Sequence, residues 1–187
     1  MSRKTGRLFI ISAPSGAGKG TVIAKMLELR PGLVMSVSAT TRQPRAGEID
    51  GEAYHFMEVD QFKEMISRGD FLEYAEYAGD FYGTPKEPVI SSIEDGKDVL
   101  LEIEVKGARQ VLSLIHDAVS IFIVPPDMDE LERRLRGRGT DTEEKLAKRL
   151  RIAISELRHK NEYMHIVVND EVERAAEEIL SIIDSSN

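Results

Sequence analysis

The chain has 187 residues, and 25 Lys and Arg against 33 Asp and Glu leave a formal net charge of −8. This length suits one ordinary domain with a sizeable core, and the acidic balance argues against a protein that coats nucleic acid. The absence of cysteine excludes disulfides, thiol nucleophiles and cysteine-based zinc sites, and it suits a reducing cytoplasm. The first apolar run, residues 8–11, is too short for a signal peptide or a membrane span, so we expect a cytoplasmic protein without membrane contact.

Four short apolar runs separated by helical patterns predict an α/β fold with a parallel sheet flanked by helices. The runs are Leu8–Ile11, Val99–Leu101, Val119–Val124 and His165–Val168. Continuous runs rich in β-branched residues are typical of strands buried on both faces. Helical patterns follow at 18–30 and 106–116, and again from about residue 172, so strands and helices alternate along the chain.

Two segments interrupt this alternation and are predicted to be inserts on a core formed by 1–34, 89–126 and 161–187. The flap, residues 35–88, carries short strand signals, several aromatic residues and a small helix near 59–67, which indicates an α+β insert. The lid, residues 127–160, is almost wholly helical and highly charged, and it breaks at 137–140. Thr140 would cap its second helix. A charged surface hairpin is the alternative interpretation of the lid.

The segment between the first strand and the first helix, residues 13–21, predicts a nucleotide site and is called the phosphate loop below. It reads Ala13, Pro14, Ser15, Gly16, Ala17, Gly18, Lys19, Gly20 and Thr21. In such a loop, backbone N–H groups and a helix N-terminus surround the phosphates while a Lys reaches the terminal ones, which is the P-loop NTPase arrangement. A chance Gly-rich turn is the alternative.

The phosphate loop departs from the strict pattern G-x-x-x-x-G-K-[ST] at two positions. Ala13 replaces the first Gly, and Gly20 stands where a hydroxyl normally meets Mg²⁺. Thr21 lies about 100° further around a helix and does not simply replace that hydroxyl. Because Mg²⁺ commonly binds through substrate phosphates and water, the direct protein ligands of a metal stay open.

In the flap, two arginines three residues apart predict a second phosphate site. Arg42 and Arg45 follow a run of hydroxyl residues, and Tyr54 comes after them. Guanidinium groups suit phosphate oxygens geometrically, and a Tyr hydroxyl adds a neutral donor. A solvated loop is the alternative interpretation of this stretch.

These motifs together resemble those of the guanylate kinase family. The shared blocks include A-P-S-G-A-G-K-G-T, S-A-T-T-R-Q-P-R-A-G-E, G-E-A-Y-H-F, G-D-F-L-E, F-Y-G-T and L-E-I-E-V-K-G, and they cover essentially the whole chain in the same order. The resemblance implies phosphorylation of GMP to GDP by ATP, assisted by Mg²⁺, with the flap binding GMP and the lid closing over the phosphates. The family commonly has Asp and Gln where this chain has Glu104 and Lys106.

The resemblance also implies roles for residues at matching positions. The GMP phosphate would be held by Ser38, Arg42, Arg45, Tyr54 and Tyr82. The rest of GMP would meet Glu73, Gly83, Thr84, Glu102 and Glu104. ATP would be bound by residues 13–21 and, on its adenine side, by Asn169 and Asp170, which also suit a helix cap. The charge of the transferring phosphoryl group would be offset by Lys19, Arg45, Arg134, Arg138 and Arg149.

Glu73 has a chemical reason to read guanine. Guanine presents N1–H and N2–H₂ donors side by side, which one carboxylate accepts, whereas adenine has a lone pair at N1 and lacks that amino group. A buried site built on such hydrogen bonds discriminates strongly.

Two other interpretations of the sequence stay open. One is a guanylate-kinase-like module that binds phosphorylated peptides, and the other is a different nucleoside monophosphate kinase, since G-K-G-T is similar to adenylate kinases. The first is opposed by the presence of Gly16, Gly18, Lys19, Arg138 and Arg149, and the second by Glu73 and the Arg42–Arg45 block.

Overall fold

The protein is described here from a computed structural model, which covers residues 5–137 and 142–186 of the chain. The strands are β1 (Leu8–Ser12), β2 (Val34–Met35), β3 (Ala39–Thr40), β4 (His55–Phe56), β5 (Phe71–Tyr77), β6 (Asp80–Pro85), β7 (Val99–Glu102), β8 (Val119–Val124) and β9 (His165–Val168). The helices are α1 (Lys19–Leu29), α2 (Val59–Arg68), α3 (Lys86–Glu94), α4 (Val105–Leu114), α5 (Met128–Arg136), α6 (Glu143–Leu157) and α7 (Val172–Ser186). No helix in these ranges is both long and apolar enough to cross a membrane.

The main sheet has five strands in the order β2-β7-β1-β8-β9, and the pairs β2–β7, β1–β8 and β8–β9 are parallel. This confirms the predicted α/β fold, and all four apolar runs are strands. Every residue of β1 and β8 is buried, as expected for strands covered on both faces. The same expectation was wrong for β9, where Ile166 and Val168 are 41% and 39% exposed. β9 is the last strand in the order, so it has a neighbouring strand on one side only and is less covered than the central strands.

The residues group into two compact units, and both β1 and β7 are divided between them. Among the described residues, the first unit comprises 5–8, 34–101 and 106–118, and the second comprises 9–33, 102–105, 119–137 and 142–186. The first unit contains a second sheet in the order β4-β3-β6-β5. Its α2 confirms the small helix predicted near 59–67, and Phe62 of α2 stacks on Phe71 of β5 with ring centroids 4.4 Å apart.

In the second unit, α5 and α6 confirm the two charged helices predicted within residues 127–160. Their contact is an apolar cluster of its own, formed by Leu131, Leu135, Leu146 and Ala153, with all four residues buried. Helix α6 begins at Glu143 with Thr142 as N-cap, whose side chain accepts a hydrogen bond from the Lys145 N–H. The prediction that Thr140 caps this helix was therefore wrong, and Thr140 itself lies outside the described residues.

Candidate active site

The phosphate loop joins β1 to α1 and depends on two glycines with left-handed backbone. Gly16 has φ 89° and Gly18, the N-cap of α1, has φ 86°. A Cβ on Gly16 would lie 2.7 Å from a methyl carbon of Leu135, and one on Gly18 would lie 2.6 Å from the amide nitrogen of Asn169. Both the backbone conformation and the close packing therefore require glycine at these positions.

The carbonyl of Ala17 is held by two side chains from elsewhere in the second unit. Asn169 donates from Nδ2 at 2.7 Å, and Arg134 donates from Nη1 at 3.2 Å. Arg134 also donates from Nη2 to the Asn169 carbonyl at 2.9 Å and from Nε to Glu130 at 2.6 Å. Arg134 of α5 therefore holds the loop through these hydrogen bonds. The charged pattern of that helix did not predict this role.

Asn169 serves the phosphate loop with its side chain. Its Oδ1 is buried and has no hydrogen-bond partner within 5–137 and 142–186, so the prediction that Asn169 caps α7 was wrong. Asp170 is exposed and accepts a hydrogen bond from the Glu171 N–H at 2.7 Å, while the Ala175 N–H of α7 donates to the Glu171 carbonyl at 3.0 Å. The Arg174 guanidinium holds the pKa of Asp170 below its ordinary value.

Lys19 begins α1 and lies among carboxylates that come from two other segments. Its Nζ is 3.7 Å from Oε1 of Glu102, the last residue of β7. Burial lowers the pKa of the Lys19 ammonium, and the negative charges of Glu102 and Glu104 oppose that shift. The segment carrying both acids is attached to the end of β1, because the Ser12 hydroxyl donates to the Ile103 carbonyl at 2.7 Å.

A carboxylate from α6 also contacts the phosphate loop. The Ser15 N–H donates to Oε2 of Glu156 at 3.0 Å, and burial raises the pKa of Glu156. Sequence reasoning missed Glu156, since one acid in a charged helix carries no signal of its own. Arg149 is half-buried about two turns before Glu156 on the same face of α6. Arg138 lies outside the described residues.

The other loop positions shape the turn or face outward. The Ala17 N–H donates to the Pro14 carbonyl at 3.1 Å, which closes the turn before Gly18, and Ala13 is half-buried before it. Gly20 and Thr21 are exposed in the first turn of α1. A Cβ on Gly20 would meet no atom within 4 Å, so this position has room for a side chain and is not a packing glycine.

The flap arginine Arg42 is fixed by a carboxylate and by aromatic rings. Glu48 accepts from both terminal guanidinium nitrogens, each at 3.0 Å, and Glu48 first, with the nearby Tyr82, raises the pKa of Arg42 above its ordinary value. The Arg42 guanidinium lies 5.4 Å from the ring centroid of Tyr54 and 5.8 Å from that of Phe56. The structure thus brings three predicted residues together and adds Glu48, whose pKa the Arg42 hydrogen bonds hold below its ordinary value.

Arg45 and Ser38 lie at the rim of this arrangement. Arg45 is exposed, and its backbone N–H donates to Glu48 at 2.7 Å. Ser38 is half-buried just before β3, and its carbonyl accepts from the His55 N–H at 2.8 Å. Glu48 therefore organises the backbone at Arg45 as well as the side chain of Arg42, which leaves the Arg45 guanidinium facing outward.

Glu73 and Thr84 form a buried cross-strand pair in the flap. They lie opposite each other on β5 and β6, and the Thr84 hydroxyl donates to Oε1 of Glu73 at 2.7 Å. The register shifts between Phe71 and Glu73, and an irregularity of this kind re-aims side chains. Gly83 has a packing reason to be glycine, because a Cβ there would lie 2.9 Å from the Glu73 carbonyl oxygen.

Metal-ligating side chains do not gather in the described part of the chain. Residues 5–137 and 142–186 contain no group of three or more His, Cys, Asp or Glu side chains placed to hold a metal ion. Gly20 supplies no hydroxyl, so a divalent cation would have to take its ligands largely from elsewhere. Phosphate oxygens and water are the ligands that Mg²⁺ ordinarily keeps.

Comparison with known proteins finds relatives that match nearly the whole chain. The guanylate kinase family model matches residues 5–186. A guanylate kinase from Trichodesmium erythraeum (strain IMS101) is 50% identical over 180 residues, covering 96% of this chain and 97% of that protein. One from Lactococcus lactis subsp. lactis (strain IL1403) is 51% identical over 185 residues, covering 99% and 90%.

A solved structure leads to the same family. The crystal structure of guanylate kinase from Anaplasma phagocytophilum aligns with a TM-score of 0.78 and 34% identity, over 98% of this chain and 87% of that one. Similarity of sequence thus extends along nearly the full length, and similarity of fold accompanies it. On these grounds the chain belongs to the guanylate kinase family.

Proposed function

We propose that this chain catalyses the reaction of its family, phosphorylation of GMP to GDP by ATP, with the acceptor bound by the flap and the donor by the phosphate loop. The observation that carries the assignment of the acceptor is the buried Glu73–Thr84 pair. A buried carboxylate suits the paired N1–H and N2–H₂ donors of guanine. Adenine would leave it without a matching donor, at a cost in free energy.

The GMP phosphate would bind at the Arg42 cluster. Arg42 is oriented by Glu48, and it lies over the ring of Tyr54, which Tyr82 contacts edge-on. A phosphate that arrives there gains a guanidinium in a fixed orientation, so less side-chain entropy is lost on binding. Tyr54, Ser38 and the exposed Arg45 would add donors around the same phosphate.

The donor phosphates would bind the phosphate loop, with Lys19 against the terminal ones. Phosphate charge stabilises the ammonium of Lys19, which burial otherwise disfavours. We propose that Mg²⁺ enters with ATP, held by phosphate oxygens and water, and that it adds positive charge near the transferring group. Asn169 and Arg134 would keep the loop in shape from the carbonyl side, and Asp170 would lie toward the adenine.

The transfer step needs positioning and charge compensation more than covalent help. A phosphate oxygen of GMP attacks the γ-phosphorus of ATP in line, the bond from that phosphorus to the bridging oxygen breaks, and ADP leaves with that electron pair. Lys19, Arg45, Arg138 and Arg149 would offset the charge on the equatorial oxygens. We propose residues 35–88 and 127–160 as the moving inserts of this domain, which would exclude water when they close.

The first test is a panel of acceptors with ATP and Mg²⁺, with ADP formation measured for each. GMP is expected to turn over well, and AMP, UMP and dTMP poorly. Absence of turnover with GMP would overturn the proposal, and equal turnover with AMP would overturn the role of Glu73. The acidic net charge also favours small-molecule substrates over a nucleic-acid partner.

The donor site is tested by Lys19→Ala, with Lys25→Ala as the matched control on the same helix. Lys25 pairs with Glu28 and Glu173 on the surface, and it belongs to neither substrate site. Lys19→Ala is expected to lower kcat by about 100-fold or more because one preorganised charge is lost, while the free energy of unfolding stays within about 1 kcal/mol. A wild-type rate in Lys19→Ala would contradict the role of Lys19.

A further inference from the structure

Helix α4 contacts the strand that carries Glu73 at two positions, Gly107 and Gln110, that have no role in the reaction described so far. Strand β5 is the last strand of its sheet, so its outer edge has no neighbouring strand in the described order. The side-chain amide of Gln110 covers part of this edge. It accepts from the Tyr74 N–H at 3.2 Å and donates to the Tyr74 carbonyl at 3.1 Å. One side chain thus takes both hydrogen bonds that a paired strand would make, directly after Glu73.

Gly107 lies three residues before Gln110, on the same face of α4, and faces the carboxylate itself. A Cβ on Gly107 would lie 2.7 Å from Oε2 of Glu73 and 3.1 Å from its carboxyl carbon. The position does not need glycine for its backbone, because its φ is not positive. Glycine within a helix is less favourable than alanine. The space that Glu73 occupies is therefore the physical reason for glycine here.

The two oxygens of Glu73 are thus confined by two different elements, β6 and α4. Oε1 accepts the Thr84 hydroxyl of β6, and Oε2 lies against the backbone of α4 at Gly107. Gln110 bonds the backbone of Tyr74, so the main chain next to Glu73 is restrained as well. A carboxylate confined in this way presents a single orientation to a base, which is what discrimination by hydrogen bonds requires.

We propose that Gly107 and Gln110 of α4 are positioning residues for Glu73 and set the preference of this enzyme for guanine over related purines. The inference rests on the proposed guanine role of Glu73. Inosine monophosphate is the informative comparison, because its base keeps N1–H and lacks the 2-amino group. A correctly placed carboxylate favours GMP over this analogue, and a displaced one loses that advantage.

The test compares kcat and KM for GMP, inosine monophosphate and ATP in Gly107→Ala and Gln110→Ala, with Leu114→Ala as the matched control. Leu114 is on the same helix and is 58% exposed. Each α4 variant is expected to raise the KM for GMP about tenfold or more, to reduce the GMP preference by a similar factor, and to leave the KM for ATP within about twofold. The control should match wild type. A general loss of structure would change all three substrates together.

A conservative variant and a reference variant complete the design. Gln110→Glu keeps an acceptor for the Tyr74 N–H and loses the donor to its carbonyl, so an intermediate GMP preference is expected. Unchanged preference in both Gly107→Ala and Gln110→Ala would overturn the positioning role, and if Gly107→Ala fails to fold, Gln110→Ala decides. In Glu73→Gln, unchanged preference would overturn the guanine role itself. Lost preference there, with both α4 variants normal, would refute only the inference about α4.

Discussion

At the scale of single residues, Glu48 fixes the paired arginines of the flap, Arg42 and Arg45. Arg42 and the backbone at Arg45 are both tied to this one carboxylate, with donor–acceptor distances between 2.7 and 3.0 Å. Because a phosphate-binding guanidinium on a free side chain would sample many rotamers, Glu48 is expected to act by reducing that freedom. We therefore expect Glu48 to contribute to GMP binding through Arg42 and not by contact with the base.

Glu48→Gln keeps the shape of this side chain and removes its charge and one acceptor oxygen. We expect the KM for GMP to rise about five- to tenfold, with the KM for ATP unchanged, since only one charge-assisted bond to Arg42 is lost. Steady-state kinetics with each substrate varied in turn measures both values. Glu52→Gln, an exposed acid of the same segment, is the control. Equal effects of the two variants would contradict the role given to Glu48.

The titration of Glu48 gives a second readout with a definite sign. Hydrogen bonds from Arg42 and from the Arg45 N–H lower its pKa in the folded protein. Its contribution to stability is therefore present above the unfolded pKa and is lost as pH falls through the lower folded pKa. A carboxyl titration by NMR should find Glu48 still ionised at a pH where exposed glutamates are half protonated, and Arg42→Ala should reduce this difference, with the Arg45 N–H supplying what remains.

At the scale of elements, the lid helices have an apolar contact of their own, and it reaches the phosphate loop. Leu131 and Leu135 of α5 are buried against α6, and both would contact a Cβ added to Gly16. The leucines that stabilise the pair α5–α6 therefore also pack next to the phosphate loop at Gly16. A change in this cluster should affect both the stability of the fold and the binding of ATP.

Leu131→Ala removes a fully buried side chain from this cluster. We expect a loss of about 2–5 kcal/mol in the free energy of unfolding, from lost apolar burial and the cavity left behind, together with a higher KM for ATP. Urea denaturation measures the first and kinetics the second. Met128→Ala, on the same helix but 41% exposed, should stay within about 1 kcal/mol of wild type. If the two variants were equally stable, the lid contact would not carry the stability assigned to it.

At the scale of the whole molecule, most of the residues proposed for the two substrates divide between the two compact units, although Glu102 and Glu104, proposed for GMP, belong to the second unit with the donor residues. Lys19, Arg134 and Asn169 belong to the second unit, whereas Arg42 and Glu73 belong to the first. A ligand that binds only the folded state stabilises it by an amount set by its own affinity, about 2.7 kcal/mol at 100 times Kd. Each substrate should therefore raise the melting temperature without the other.

Thermal unfolding of variants separates the two contributions. In Lys19→Ala we expect the shift produced by ATP to shrink strongly and the shift produced by GMP to remain. In Arg42→Ala the opposite pattern is expected, because the phosphate anchor of GMP is lost. Scanning calorimetry or dye-based melting at fixed ligand concentration measures the shifts. Loss of both shifts in either variant, despite a normal unliganded melting temperature, would contradict independent binding.

Local signals in the sequence were sufficient for the elements near the donor site. The apolar run at residues 8–11, the glycines of the phosphate loop and the helical pattern after it are all contiguous, so periodicity and turn chemistry identified them directly. The identity of β9 was equally clear, but its exposure was not, because a run of β-branched residues does not say where in a sheet its strand lies. The N-cap of α6 is Thr142, and the sequence alone did not identify it because Thr140 and Thr142 both suit an N-cap position.

The sequence by itself determined the α/β class, the phosphate loop, the paired arginines of the flap and the resemblance to a family, because each of these depends on neighbours along the chain. Only the tertiary structure decided that Glu48 orients Arg42, that Asn169 and Arg134 hold the Ala17 carbonyl, and that Gly107 makes room for Glu73. These contacts join residues whose chemistry is ordinary when each is seen alone. Their meaning comes from distance and burial, which folding sets and which no spacing in the sequence records.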